Sequence, residues 1–66
     1  MQFSDKLTEL RRRRGLSQEQ LADFLGVTRQ SVSKWEFGTA MPELGNLIAL
    51  SDLFSVTVDA LVKETA

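Results

Sequence analysis

Residues Ser17–Gly38 decide the fold, and they read S-Q-E-Q-L-A-D-F-L-G-V-T-R-Q-S-V-S-K-W-E-F-G. The pattern predicts two short helices joined by a tight turn. Gly26 suits that turn because glycine adopts the left-handed backbone that closes a helix without a Cβ clash. Thr28 follows it with a hydroxyl that can cap the second helix. Apolar residues recur at helical spacing and are expected to face inward: Leu21, Ala22, Leu25, Val27, Val32 and Trp35.

The outward face of the second helix is polar and mildly basic, with Arg29, Gln30, Ser33 and Lys34. Such a face is often merely solvated. It also suits the major groove of B-DNA, which admits an α-helix and displays a distinct donor and acceptor pattern for each base pair. Because arginine pairs with guanine and glutamine with adenine through two hydrogen bonds, we predict Arg29 and Gln30 as base readers. Ser33 permits close approach, and Lys34 is equally suited to a base or a phosphate.

The same stretch resembles a known family of DNA-binding domains. Residues 16–36 resemble the helix-turn-helix of the Cro/phage-repressor family. The flanking patterns L-x-x-L-R and P-x-x-x-x-L-x-x-L-x-x-L-F-x-V-x-x-x-x-L match the rest of that family's domain. The resemblance implies an all-α, compact five-helix lambda-repressor-like fold over residues 1–66, and a transcriptional regulator, most simply a repressor. The residues at signature spacing are Gln18, Ala22, Gly26, Val32 and Trp35.

Capping signals predict where the helices begin and end. Ser4 can cap the first helix, and Ser17-x-x-Gln20 is a capping box. Pro42 suits a first helical position. The helix after it is expected to bury a wide apolar stripe that includes Leu44 and Ile48. We predict helices over about 4–14, 17–25, 28–37, 42–54 and 57–63, and no sheet, because no useful length alternates with period two.

Length and composition exclude several classes of function. A chain of 66 residues is expected to form one domain. It has no cysteine and no histidine, so we expect no metal, no cofactor and no catalysis on a small-molecule substrate. No apolar run approaches the roughly 20 residues that span a bilayer, and the N-terminus lacks a secretory pattern. The expectation is a cytoplasmic protein without a membrane partner.

The charge distribution is compatible with a DNA partner, although the net charge is −1. Residues 1–37 hold seven Lys/Arg against five Asp/Glu, a balance of +2, whereas residues 38–66 hold one against four, a balance of −3. The positive end of the chain is therefore the helix-turn-helix half. Total charge concerns solubility and steering rather than fold.

The resemblance also implies residues that contact the DNA backbone. The N-terminus of a helix favours an anion, so Gln18 and Thr28 are expected to meet phosphates, unless they are ordinary first-turn residues. The loop after the second helix has no basic residue, so only N–H groups near Gly38 and Thr39 are left to donate there.

An ion pair is also implied by the resemblance. The family pairs an arginine of its first helix with a glutamate that ends the third, here Arg11 and Glu36. Arg12, Arg13 and Arg14 remain as solvated cations or peripheral phosphate contacts.

A homodimer on a palindromic or pseudo-palindromic operator is the expected assembly, formed in solution or only on DNA. Its contact is expected from Phe54, Val56, Val58 and Val62. The alternative function is a protein-interaction module on the same fold, such as an antitoxin or partner-binding regulator. The features that favour it are Phe24, Phe37, Glu43, Asp52, Asp59 and Glu64.

Overall fold

The computed structural model describes residues 2–63, and helices alone form its regular structure in that range. No strand occurs there, so the predicted all-α fold class is confirmed. The predicted helices are each present, with ends shifted by one or two residues. Their bounds are α1 Phe3–Arg13, α2 Gln18–Leu25, α3 Arg29–Phe37, α4 Leu44–Phe54 and α5 Val58–Val62.

Every helix sends one completely buried side chain into a shared core. Phe3, Ala22, Trp35 and Phe54 pack around that centre. A helix as short as α5 is not stable alone, because nucleation costs more than a few backbone hydrogen bonds return. Its stability therefore depends on this burial. The side chains with 0% exposure are Leu7, Leu21, Val32, Leu50 and Leu61.

The turn between α2 and α3 has the geometry that the sequence predicts. Gly26 adopts φ 70°, in the left-handed region. The Val27 N–H donates to the Ala22 carbonyl at 3.0 Å, which closes α2. The Thr28 hydroxyl then accepts from the Ser31 N–H at 3.1 Å and opens α3. These contacts fix the angle at which α3 leaves α2.

Two predicted helix starts are wrong. Pro42 is buried ahead of α4, which begins at Leu44 after Glu43. Ser4 lies inside α1, where its carbonyl accepts from the Thr8 hydroxyl at 2.9 Å. In α1 the earlier start has a clear reason, because it brings Phe3 into the core.

The predicted apolar stripe of α4 is only partly buried. Leu50 and Phe54 lie in the core and Leu47 packs against it, whereas Leu44 and Ile48 remain exposed. The last two are four residues apart, so they share a strip to one side of the core-facing strip. None of the helices in the described range has the length and apolar character needed to cross a bilayer.

Candidate nucleic-acid interface

The outward face of α3 is unobstructed. Arg29, Gln30, Ser33 and Lys34 are all exposed, and they line one shallow depression of about 400 Å³. The opposite side of the helix is anchored by Val32 and Trp35 in the core. The burial of that side turns the polar side away from the molecule. The structure therefore brings the four sequence-predicted groups together on one accessible surface.

The N-terminus of α2 presents unpaired backbone donors. Ser17 and Gln20 form the predicted capping box, with hydrogen bonds of 3.0 and 2.8 Å. The N–H groups of Gln18 and Glu19 have no acceptor among residues 2–63. With the helix dipole, two such donors make this end attractive to an anion.

Glu36 joins α1, α2 and α3 at this end of the molecule. It accepts from Arg11 Nε at 2.6 Å and from Arg11 Nη2 at 3.0 Å. It also accepts from Gln18 Nε2 at 3.2 Å. Arg11 Nη1 donates in turn to the Leu16 carbonyl at 2.8 Å. The pairing with Arg11 was anticipated from the resemblance, but the links to Gln18 and Leu16 were missed, since no local spacing signals them.

Burial and charge act in opposite directions on Glu36. The side chains of Arg11 and Glu36 are only 12% and 7% exposed. Burial by itself would raise the pKa of Glu36, but the hydrogen bonds from Arg11 and Gln18 and the arginine charge outweigh it. The pKa of Glu36 therefore lies below its ordinary value. Glu36 stays ionised at neutral pH and holds the Gln18 amide in place.

The predicted donors after α3 are already engaged. The Gly38 N–H donates to the Trp35 carbonyl at 3.3 Å, and the Thr39 N–H donates to the Lys34 carbonyl at 3.0 Å. The Thr39 hydroxyl also donates to Lys34, at 3.3 Å. The expectation that backbone groups at Gly38 and Thr39 donate to a phosphate is therefore wrong, because closing α3 consumes them.

Thr28 has its hydroxyl oxygen committed to the start of α3. This oxygen accepts from the Ser31 N–H and lies 3.0 Å from Ser31 Oγ, where either hydroxyl can be the donor. Thr28 retains a hydrogen for an outside acceptor only when Ser31 donates in that pair. The contact of Thr28 with the DNA backbone stays a prediction, and it requires that the Ser31 hydroxyl be the donor in that pair.

Of the residues predicted for a dimer contact, one is buried and three are accessible. Phe54 is 5% exposed and belongs to the core, so its assignment to a dimer surface is wrong. Its ring fills the space between α4 and its neighbours instead. Val56 and Val58 are half-buried, and Val62 is exposed. Val58 and Val62 lie four residues apart on α5 and share a face.

The features that favour a protein partner are on the surface. Phe24 and Phe37 are 68% and 83% exposed. Glu43, Asp52 and Asp59 are exposed as well. Glu64 lies outside the described residues. Large exposed aromatic groups leave apolar area in water that a partner can cover.

Comparisons with known proteins give relatives over nearly the whole chain. Over 62 residues it is 47% identical to the HTH-type transcriptional activator BcrR of Enterococcus faecalis, covering 94% of this chain and 30% of BcrR. Over 63 residues it is 44% identical to the SPbeta prophage-derived uncharacterized HTH-type transcriptional regulator YonR of Bacillus subtilis, covering 96% of this chain and 58% of YonR. The chain thus spans less than two thirds of either relative.

A solved structure and a family profile agree with these relatives. The P22 c2 repressor protein, crystallised in complex with a synthetic operator, superposes with a TM-score of 0.90 at 27% identity, covering 96% of each chain. The profile described as helix-turn-helix matches residues 7–61. The chain belongs to the helix-turn-helix family, in its Cro/phage-repressor branch.

Proposed function

We propose that this chain is a sequence-specific, double-stranded DNA-binding transcriptional regulator that reads the major groove with α3. The observation that carries the proposal is the exposed cluster of Arg29, Gln30, Ser33 and Lys34 on a helix anchored by its opposite side. In helix-turn-helix proteins the N-terminal residues of the second helix reach the base edges. Arg29 and Gln30 hold those positions, so they read bases.

The backbone of the DNA is held at the N-terminus of α2. Two free N–H groups and the Gln18 amide lie at this helix end, where the helix dipole also favours an anion such as a phosphate. Glu36 accepts one hydrogen from that amide, and the second remains for the phosphate. This contact sets the register of α3 in the groove without reading sequence.

Relatives support regulation as the biological output. The matched proteins are named as transcriptional regulators, and the structural neighbour was crystallised with an operator. Repression by occupying a promoter is the simplest mode, since it needs no contact other than DNA. The proposed site of action is the cytoplasm, because the partner is DNA and these matched relatives are bacterial proteins.

Two copies are needed for useful affinity, because one monomer reads only a few base pairs. They would bind half-sites of a palindromic or pseudo-palindromic operator about one helical turn, roughly 34 Å, apart. Val58 and Val62 on α5, with Val56 beside them, form a small self-complementary contact between the copies. So small a patch favours pairing on DNA over pairing in free solution.

Selection of bound duplexes from a random pool tests the proposal. We expect an enriched motif with related halves. Replacing Arg29 with alanine should relax preference at one position of each half-site and cost about 1–3 kcal/mol of binding free energy. Gln18→Ala is the control, and it should weaken all sequences equally. An unchanged motif for Arg29→Ala refutes the base-reading role.

A protein-interaction module is the second candidate function, supported by the exposure of Phe24 and Phe37. The same selection separates the two candidates. If no sequence is enriched while a stoichiometric protein partner co-purifies, and if Phe24→Ser with Phe37→Ser abolishes that partner, the second candidate replaces the first.

A further inference from the structure

Four consecutive arginines, residues 11–14, form the last turn and the C-cap of α1, and the structure gives them different roles. Arg11 is engaged by Glu36. Arg13 pairs with Glu9 at 2.5 Å. Arg12 and Arg14 are exposed and form no ion pair with any residue in the 2–63 range. Arg12 and Arg14 are therefore the two arginines of this run that are left to meet an outside anion, and they differ in their position on the helix.

Arg12 lies on the outward side of α1. It lines a depression there with Asp5, Thr8, Glu9 and Arg13. Two of these neighbours are acidic, so its charge is partly offset locally. Arg12 lies on the side of α1 opposite the strip of Phe3, Leu7 and Leu10 that packs on the core.

Arg14 lies on the inward side of α1, just past its end. It follows Leu7 by seven residues and Leu10 by four, and so continues the strip that packs on the core. As the C-cap residue it keeps a right-handed helical backbone, with φ −85° and ψ −1°. Its side chain is exposed.

The turn after Arg14 is tight and leads directly to α2. The Gly15 N–H donates to the Arg12 carbonyl at 3.0 Å, and the Leu16 N–H to the Arg11 carbonyl at 3.1 Å. Gln18 is four residues after Arg14, so their Cα atoms are at most about 14 Å apart even with the chain extended. The free donors of the α2 N-terminus are thus within a few phosphates of Arg14, since each DNA strand carries one phosphate per roughly 3.4 Å of axis.

We propose that Arg14 is a further DNA-backbone contact, binding a phosphate next to the one at the start of α2. This inference rests on the proposed function. A guanidinium is always charged and presents a planar fork of donors that matches phosphate geometry. The contact takes the place of the loop after α3, which has no basic residue between Phe37 and Met41 and whose donors at Gly38 and Thr39 are closed.

The salt dependence of binding tests this contact. The association constant of wild type, Arg14→Ala and Arg12→Ala is measured on the selected operator and on a random duplex, between about 50 and 200 mM salt. Arg14→Ala should reduce the slope of log K against log salt by about 0.9 on both duplexes, with base preference unchanged. Between about 50 and 200 mM salt, the fold-loss of affinity should therefore be about 3.5 times smaller for Arg14→Ala than for wild type.

Arg12→Ala is the matched control, because it removes the same charge two residues away on the other side of the helix. Its slope should stay close to that of wild type, and Arg14→Lys should retain most of the slope. Thermal unfolding of each variant shows whether Arg14 also stabilises the end of α1. A purely structural role would change the melting temperature, whereas a phosphate contact would change the slope of log K against log salt.

The outcomes of these binding measurements distinguish a failure of the Arg14 contact from a failure of the proposed function. If wild type binds with an enriched motif and the Arg14→Ala slope is unchanged, the inference fails and the proposed function stands. Equal slope losses for the Arg12 and Arg14 variants also overturn it, because they indicate an effect of net charge rather than a local contact. If wild type binds no duplex, both the proposed function and the inference fail.

Discussion

Removing the charge of Glu36 is the strongest test of how the helix-turn-helix is held. Glu36→Gln keeps the side-chain volume but replaces one acceptor oxygen with an amide donor. Arg11 donates to both oxygens, at 2.6 and 3.0 Å, so one of its N–H groups then faces another donor. The Arg11 side chain, only 12% exposed, then loses its counter-charge.

The expected cost follows from that geometry. Breaking one side of a buried ion pair costs about 3–5 kcal/mol, because the other charge is left without a partner in a desolvated site. Arg11 retains the Leu16 carbonyl at 2.8 Å, so we expect the lower end, about 3 kcal/mol. Glu9→Gln breaks the exposed pair with Arg13 and is the control, at about 0.3–0.5 kcal/mol.

The cost should depend on pH with a definite sign. The pKa of Glu36 is lower in the folded state than its ordinary value of 4.5, so the ionised carboxylate stabilises the fold above that value. This stabilisation is lost as the pH falls through the folded-state pKa. Glu36→Gln lacks it at every pH. The gap in stability between wild type and Glu36→Gln should therefore be largest at neutral pH and narrow below 4.5.

This gap in stability is measured by urea unfolding across a pH series. Unfolding is monitored by far-UV circular dichroism and by the fluorescence of Trp35, the single tryptophan. A loss no larger than that of Glu9→Gln, or a gap that stays constant into acid, would refute the assignment of Glu36 as a buried, ionised partner of Arg11. The variant should also bind DNA more weakly on all sequences, because the Gln18 amide loses its anchor.

The other predictions concern the helix ends and are read by thermal unfolding. Gly26→Ala should destabilise the fold by about 1–2 kcal/mol, because φ 70° strains any residue with a Cβ atom even though nothing lies within 4 Å of it. Gly45→Ala, in the first turn of α4 and also without a neighbour within 4 Å, should stabilise, but by less than the roughly 0.5–1 kcal/mol gained at a helix interior. If both alanine variants shift the melting temperature in the same direction, the explanation by backbone conformation is wrong. Ser17→Ala should cost about 1 kcal/mol, equivalent to roughly 4–8 °C in melting temperature, through loss of the capping box; an unchanged melting temperature would count against it.

Local patterns in the sequence determined the helices, the turn at Gly26 and the exposed face that begins at Arg29. These features depend on residues three or four positions apart, whose contacts the helix geometry fixes in advance. The capping box at Ser17 and the hydroxyl cap at Thr28 are of the same kind. For that reason the family and the candidate base readers follow from the sequence alone.

Tertiary structure alone decided how distant groups are used. Gln18 and Glu36 are 18 residues apart, and only the crossing of α2 over α3 brings the amide to the carboxylate. The burial of Phe54 and the exposure of Leu44 likewise depend on which strip of α4 meets its neighbours. The donors at Gly38 and Thr39 are a local matter by contrast, because they bond to carbonyls only three and five residues back where Gly38 closes α3. Sequence spacing specifies neighbours within a helix, but contacts between helices depend on the packing of the whole core.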